Sequence, residues 1–289
     1  MKKLLICLCL LALLCLPAAG FAEEEPPEEA DIEETVDLDA PETTGEAEWT
    51  FPVALEDMDP QFVRLANKHY LLPEDYVPSP LVKMVQRKAA KDGSNKNGGV
   101  LKASGSTMKL QQTCAEALVA MSEGAREEGI HLYLKSAYRS YQTQKTMYYN
   151  RLKKNKGKDD GWVAFPGSSD HQTGLGCDVV PRSWRDKAMN GKMGKEKECI
   201  WMAEHCHEYG FILRYPEDKE AITEINYEPW HMRYVGIPAA TYIMENGLCL
   251  EEFNDLLQEA IADYLARGGD PAKVEAFIQV PSDETTSGD

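Results

Sequence analysis

The chain has 289 residues and a net charge of −17. This length suffices for a leader segment, a spacer and one substantial domain. The acidic excess is concentrated near the N-terminus, because residues 23–48 contain thirteen acidic and no basic residues, and only −6 remains from residue 49 onward. A nucleic-acid-binding surface requires a basic face, so we expect no nucleic-acid partner.

Residues 1–22 have the pattern of a secretory signal peptide. Two lysines precede an apolar run, and the small residues at its end suit cleavage after Ala22. The apolar run is short for a full membrane span, although an uncleaved anchor helix is one alternative and a lipidated cysteine is another. We therefore expect a secreted or extracytoplasmic protein. Contact with a membrane, and tethering to the surface, is expected only in the alternative case of an uncleaved N-terminal segment.

Residues 23–50 are predicted to form an acidic, disordered spacer, because a highly charged segment with few aromatic residues cannot bury enough surface to order itself. Five cysteines follow the signal segment, and an odd number in an exported chain means at least one free thiol or an intermolecular bond. They are Cys114, Cys177, Cys199, Cys206 and Cys249. They form no C-x-x-C pair, so neither a cysteine zinc site nor a redox motif is expected.

From residue 51 the sequence is typical of a globular domain. An extended arm is predicted up to Pro80, and a turn-rich loop at residues 91–99. Apolar periodicities then predict helices at 107–129, 141–154, 195–209, 238–246 and 250–266, and strands at 130–140, 176–180, 211–216 and 226–235. Short strands between helices, without a regular βαβ spacing, predict an α+β fold with a small central, mostly antiparallel sheet flanked by helices.

Two short motifs contain the residue types of a metal site. The first, residues 169–178, reads SDHQTGLGCD, and the second, residues 228–231, reads EPWH. The two imidazoles and one carboxylate of His171, Asp178 and His231 suit zinc better than calcium or magnesium, which prefer oxygen ligands. Three protein ligands leave a fourth position for water, as in catalytic zinc sites. The glycines of the first motif disfavour a helix, so a loop entering a strand is expected there.

Other polar residues complete the predicted chemistry. Glu228 lies three residues before His231 and is the predicted general base. It would act on a water molecule whose pKa a bound metal lowers to about 7. The alternative is that Glu228 hydrogen-bonds a histidine ligand. Arg139, where a strand meets a helix, could bind a developing oxyanion or a substrate carboxylate, with a surface ion pair as the alternative. His205 and His207 do not share a helix face and are expected at the surface.

Three segments closely resemble, in order and spacing, the VanY-type zinc D-alanyl-D-alanine carboxypeptidases. They are SAYRSYQTQ from residue 136, SSDHQTGLGCDVV from residue 168 and EPWHMRYVG from residue 228. The family shares a superfamily with lysostaphin-type peptidases and the hedgehog signalling domain, and its fold is α+β with a central antiparallel sheet. The resemblance covers roughly residues 53–256, with one departure at Gly176, where the family usually has alanine.

The resemblance implies roles for seven residues. It makes His171, Asp178 and His231 the zinc ligands, Glu228 the catalytic base, Arg139 the group that stabilises the oxyanion, and Ser169 and Gln144 contacts to the peptide substrate. The predicted division of the chain is a signal peptide at 1–22, the spacer at 23–50, a zinc peptidase domain at 51–256, and a C-terminal helix and polar tail at 257–289.

The implied reaction is zinc-dependent D,D-carboxypeptidase hydrolysis, which removes the terminal D-Ala from peptidoglycan stem peptides. Two enzymatic alternatives use the same fold, namely an L,D-carboxypeptidase and a cell-wall endopeptidase. A non-catalytic zinc-containing binding module and a purely structural metal domain are alternatives of other classes. The structural domain predicts a fourth protein ligand, whereas the peptidases predict an open position.

Overall fold

The computed structural model describes residues 47–84, 102–103 and 107–282. The predicted signal peptide, nearly all of the predicted spacer and the predicted loop at 91–99 lie outside the described residues. Within the described ranges, no helix is both long and apolar enough to cross a membrane. The expectations for residues 1–22 therefore remain predictions.

Seven strands occur within the described residues. They are β1 Leu81–Lys83, β2 Lys102–Ala103, β3 Lys109–Gln111, β4 Leu132–Ser136, β5 Gly176–Pro181, β6 Phe211–Leu213 and β7 His231–Tyr234. Strands β1 and β3 pair antiparallel in a small sheet, and the others form a larger sheet in the order β2-β4-β5-β7-β6. The β2–β4 pair is parallel, and the other three pairs are antiparallel. The predicted small, mostly antiparallel sheet is confirmed.

Eight α-helices accompany the sheets in the described part of the chain. They are α1 Gln112–Glu127, α2 Tyr141–Lys154, α3 Asp170–Thr173, α4 Lys197–His205, α5 Glu220–Thr223, α6 Ile237–Glu245, α7 Leu250–Ala266 and α8 Pro271–Val274. Helices α2 and α7 have the predicted bounds, and α2 begins where Ser140 accepts a hydrogen bond from the Thr143 N–H as an N-cap. Helix α1 begins later than predicted, because residues 109–111 pair with β1.

The metal motifs fold differently from the prediction in two respects. A helical turn, α3, forms where a loop was predicted, and Gly174 ends it with a φ of 71°, a left-handed conformation that glycine adopts freely. The strand predicted at 226–235 is shorter, because the residues before His231 form a turn in which its N–H donates to the Glu228 carbonyl. Helix α7 also continues across residue 256, so the predicted domain boundary falls inside a helix.

Two buried apolar clusters pack against the larger sheet. Phe211 of β6 belongs to the cluster that contains α1 and α4, and the next residue, Ile212, belongs to the cluster that contains α6 and α7. Because successive strand residues face opposite sides of a sheet, the two clusters meet β6 from opposite faces. Strands β5 and β7 each have a neighbouring strand on both sides, and every residue of both is buried.

Strand β5 passes close to α3 at Gly176. A Cβ atom on this glycine would lie 2.8 Å from the Asp170 Cβ and 2.9 Å from the Asp170 carbonyl carbon. These distances are too short for non-bonded carbon atoms, so the glycine is required by the approach of α3 to the strand. The departure from the alanine of the resembling family thus has a physical reason in this chain.

Gly176→Ala is expected to lower the free energy of unfolding by about 1–3 kcal/mol, because Asp170 must shift to admit the methyl group. Chemical denaturation of both proteins measures this difference. Gly191→Ala is the matched control, since its added Cβ would meet the ring of Tyr227 at 3.2 Å and no backbone contact is as close. An unfolding free energy of Gly176→Ala equal to that of the parent chain would contradict the close approach.

Candidate active site

The three residues predicted to bind a metal lie together, and we call His171, Asp178 and His231 the metal cluster. Asp178 on β5 is the cross-strand partner of His231 on β7, and His171 reaches the same point from α3. The Asp178 Oδ1 atom lies 3.5 Å from His171 Nε2 and 3.2 Å from His231 Nδ1. The three ligand atoms lie within 4.8 Å of one another, and all three residues are buried.

The donor set and spacing of the metal cluster fit zinc. Tetrahedral Zn–N bonds of about 2.0–2.1 Å place ligand atoms about 3.3 Å apart, close to both distances from Asp178. The Asp178 Oδ1 atom is buried and lacks a hydrogen-bond partner among the described residues, and a bound cation would satisfy it. Three protein ligands leave one tetrahedral position open, which is the arrangement of a catalytic site.

His171 is held with the correct nitrogen toward the cluster. Its Nδ1 lies 2.8 Å from the Ala137 carbonyl oxygen, so Nδ1 carries the proton and Nε2 presents a lone pair to Asp178. Burial lowers the pKa of His171, and the nearby Arg139 guanidinium lowers it further. The ring is therefore held neutral, which is the form that binds a metal.

Glu228 lies beside the metal cluster and is buried. Its Oε2 is 3.5 Å from His231 Nδ1, and its backbone N–H donates to the Tyr215 carbonyl. Burial raises the pKa of Glu228 well above its usual range, Asp178 raises it further, and Arg139 opposes both. A carboxylate with raised proton affinity close to an open metal position is suited to take a proton from water.

Arg139 is oriented by a chain of hydrogen bonds. Its Nη1 donates to Gln144 Oε1 at 2.7 Å and its Nη2 to Ser136 Oγ at 3.2 Å. Gln144 is buried, and its Nε2 donates to the Ala164 carbonyl at 2.6 Å. Gln144 thus holds the guanidinium with one end of its amide and a neighbouring loop with the other. Its predicted contact with a substrate remains a prediction.

A cavity of about 120 Å³ opens onto the metal cluster, and Ser169 contributes to its lining. The polar side of the cavity is formed by Arg139, Glu228 and the cluster. Its apolar side is formed by Met147, Trp162, Val163, Ala164, Met189, Ile225 and Trp230. The Trp162 and Trp230 rings stack with centroids 6.3 Å apart. The site therefore combines one cation and two buried carboxylates with apolar lining residues.

Sequence reasoning gave no role to Tyr215, which also lines the cavity. The Tyr215 ring centroid lies 4.9 Å from that of His231, and the Arg214 guanidinium lies 4.8 Å from the same Tyr215 centroid. The available signal was its position in the strand predicted at 211–216. Because nothing in that segment carries metal-ligand chemistry, residue type alone did not single it out.

The remaining histidines and cysteines lie apart from this chemistry. His205 is partly exposed, stacks on Trp201 and pairs with Glu208. His207 is also partly exposed. All five cysteines of the described residues are free and buried, and burial raises the pKa of the Cys206 thiol to about 12. Such thiols are poor nucleophiles and poor metal ligands.

Comparison with known families identifies relatives of the chain. Residues 107–237 match the family model described as VanY, D-alanyl-D-alanine carboxypeptidase, and this range contains all seven predicted site residues. The putative carboxypeptidase YodJ of Bacillus subtilis (strain 168) is 39% identical over 190 residues, which make up 65% of this chain and 65% of YodJ. The chain thus spans less than two thirds of the length of YodJ.

Two solved structures are similar in both sequence and fold. The LD-carboxypeptidase LdcB is 37% identical with a TM-score of 0.56, and the match covers 68% of this chain and 87% of LdcB. The vancomycin resistance D,D-pentapeptidase VanY, in complex with Zn(II), is 30% identical with a TM-score of 0.50 and coverages of 67% and 98%. The likeness therefore extends over almost the whole of the VanY structure.

His171→Ala is expected to weaken zinc binding by about 100-fold or more, because it removes one of three protein ligands. Competition with a chromogenic chelator on the full chain measures the affinity. His205→Ala is the control, since this histidine contacts Trp201 and Glu208 and is not a member of the metal cluster. Zinc affinity of His171→Ala equal to that of His205→Ala would show that the cluster does not bind the metal.

Proposed function

The chain belongs to the VanY family of D-alanyl-D-alanine carboxypeptidases, and we propose that it is a zinc-dependent D,D-carboxypeptidase that hydrolyses the terminal D-Ala from peptidoglycan stem peptides. The observation that carries the proposal is the position of buried Glu228 beside the metal cluster, with Arg139 lining the same cavity. A metal domain of purely structural function would require a fourth protein ligand, and the described residues offer three.

Zinc held by the metal cluster supplies Lewis acidity for the scissile carbonyl and acidifies a water molecule. Glu228 accepts a proton from the attacking water, whose oxygen bonds to the carbonyl carbon. Glu228 then delivers that proton to the amine of the departing D-Ala as the C–N bond breaks. Burial raises its proton affinity, which suits a group that must both take and return a proton.

Arg139 stabilises the oxyanion that forms on the scissile carbonyl. Its hydrogen bonds to Gln144 and Ser136 orient the guanidinium before a substrate arrives. A donor that is already oriented need not reorganise as charge develops, which makes it more effective than a mobile one. Burial lowers the pKa of Arg139, while Asp178 and Glu228 raise it, so the cation stays charged beside two carboxylates.

The proposed substrate is a stem peptide that ends in D-Ala. The small cavity suits a short terminal side chain, and its apolar wall suits a methyl group. Ser169 is proposed as a polar contact to the peptide. Gln144 is proposed to act chiefly by holding Arg139, because both ends of its amide are already engaged.

An L,D-carboxypeptidase is the second candidate, because LdcB is 37% identical and matches this chain over 87% of its own length. In this chain either activity would use the metal cluster, Glu228 and Arg139, and the two differ in the configuration of the residue before the scissile bond. The finer geometry of the cavity decides between them. A cell-wall endopeptidase remains the third possibility on this fold.

A pentapeptide stem ending in D-Ala-D-Ala is expected to lose one D-Ala when incubated with the zinc-loaded full chain, leaving the tetrapeptide. The tetrapeptide is expected to stay intact, because it lacks the D-Ala–D-Ala bond. Mass spectrometry of the products measures both reactions. Release of D-Ala from the tetrapeptide alone would overturn the D,D proposal in favour of the L,D candidate, and cleavage of a cross-linked stem alone would favour the endopeptidase.

In the same digest, Glu228→Gln is expected to lower turnover by about 10²–10⁴-fold, and Arg139→Lys by about 10²–10³-fold. Neither residue belongs to the metal cluster, so zinc content should remain that of the parent chain. Glu217→Gln, at an exposed carboxylate, is the matched control for loss of a charge. Unchanged turnover in Glu228→Gln would refute its role as the base.

We also propose that the protein acts outside the cytoplasm. The signal-peptide pattern of residues 1–22 supports this, as does the location of the proposed substrate in the cell wall. N-terminal sequencing of the mature protein is expected to find a chain that starts after Ala22. A chain that still carries residues 1–22 and is found in the membrane fraction would instead establish a tether. A chain found in the cytosol would refute export.

A further inference from the structure

Four buried charged side chains form a network behind the metal cluster, and sequence analysis gave none of them a role. Arg214 donates from Nε to Asp170 Oδ2 at 2.7 Å and forms two hydrogen bonds with the Glu251 carboxylate at 2.7 and 2.6 Å. Arg233 donates to the other oxygen of Asp170. Both arginines and Asp170 are fully buried, and we call these four residues the ion network.

The ion network is connected to the metal cluster through the chain itself. Asp170 directly precedes His171 on α3, and Arg233 lies two residues after His231 on β7. Asp170 therefore links the elements that carry the two histidines, because its carboxylate receives Arg233 from β7 and Arg214 from the end of β6. Glu251, on α7, contacts Arg214 and Asn67.

One ring nitrogen of His231, Nε2, has no partner within the metal cluster. Its Nδ1 faces Asp178, and its Nε2 is buried without a hydrogen-bond partner among the described residues. An imidazole that gives Nδ1 to a metal carries its proton on Nε2, and a buried N–H requires an acceptor. The carboxylate oxygen within 4.0 Å of this nitrogen in the described structure is Asp170 Oδ2, at 3.9 Å.

We propose that Asp170 is a positioning residue for the metal site, which accepts the Nε2–H of His231 and thereby fixes the ring with Nδ1 toward the metal. The two arginines hold the carboxylate in place for this contact, and a small ring rotation closes the remaining distance. Metal-binding histidines commonly donate their second N–H to a carboxylate, which orients the ring and strengthens the ligand. The proposal rests on the zinc dependence of the proposed function and not on its substrate.

The matched pair Asp170→Asn and Glu251→Gln separates positioning from stability. Each variant removes one carboxylate charge opposite Arg214, and Asp170→Asn also removes the charge that pairs with Arg233. A purely structural network affects stability, which chemical denaturation of both variants measures, and predicts no change of zinc affinity in the folded protein. Positioning by Asp170 predicts that Asp170→Asn weakens zinc binding by about 10–100-fold, whereas Glu251→Gln stays within about threefold of the parent. Chelator competition on the full chain measures both. Equal affinities in the two variants would overturn the proposal.

A measurement on the parent chain applies even if Asp170→Asn does not fold. In the zinc-loaded protein labelled with ¹⁵N-histidine, the proton of His231 is expected on Nε2 and to exchange slowly with solvent. Rapid exchange of that proton, or its location on Nδ1, would overturn the proposal. Both experiments omit the peptide substrate, so a failure of D-Ala release by the parent would refute the proposed function and leave these results unaffected.

Discussion

Asp178 and His231 are cross-strand partners, and the candidate site depends on that register. Asp178 also lies opposite Ser136 of β4, whose hydroxyl accepts a hydrogen bond from Arg139. One row across three strands therefore aligns a metal ligand of β5, a metal ligand of β7 and the anchor of the arginine. A slip of one residue in either pairing would turn Asp178 to the opposite face of the sheet, away from the histidines. The buried faces of both strands oppose such a slip.

The ion network explains why the site needs elements that lie outside the motifs. Burying two arginines is costly unless each one is paired and hydrogen-bonded. Arg233 meets this requirement with the Asp170 carboxylate and with the carbonyls of Phe62 and Arg64 in the N-terminal arm, and Arg214 meets it with Asp170 and Glu251. The arm and helix α7 thus complete the wall behind the metal cluster, and the catalytic motifs alone would leave buried charges unpaired.

Local signals were sufficient where a segment carries its own boundaries. Helices α2 and α7 were predicted at their observed residues, and in the structure Ser140 is the N-cap of α2 and Glu252 accepts from the Cys249 N–H at the start of α7. Helix α3 was missed because the glycines of the first motif disfavour a helix, whereas the helical turn ends just before the first of them, Gly174. Strands β1 and β3 were missed because a two- or three-residue strand is defined by its partner and has no periodicity of its own.

The sequence by itself determined the chemistry available to the site: two imidazoles, two carboxylates and a guanidinium, in an order and spacing that resemble one family. Residue type sets ligand preference and proton affinity, so zinc and the base could be predicted without coordinates. Only the tertiary structure decided that His231 presents Nδ1, that Gln144 is occupied by Arg139, and that Asp170 lies behind the histidine. Those facts depend on how the side chains are oriented toward one another in the folded protein, which spacing along the sequence does not encode.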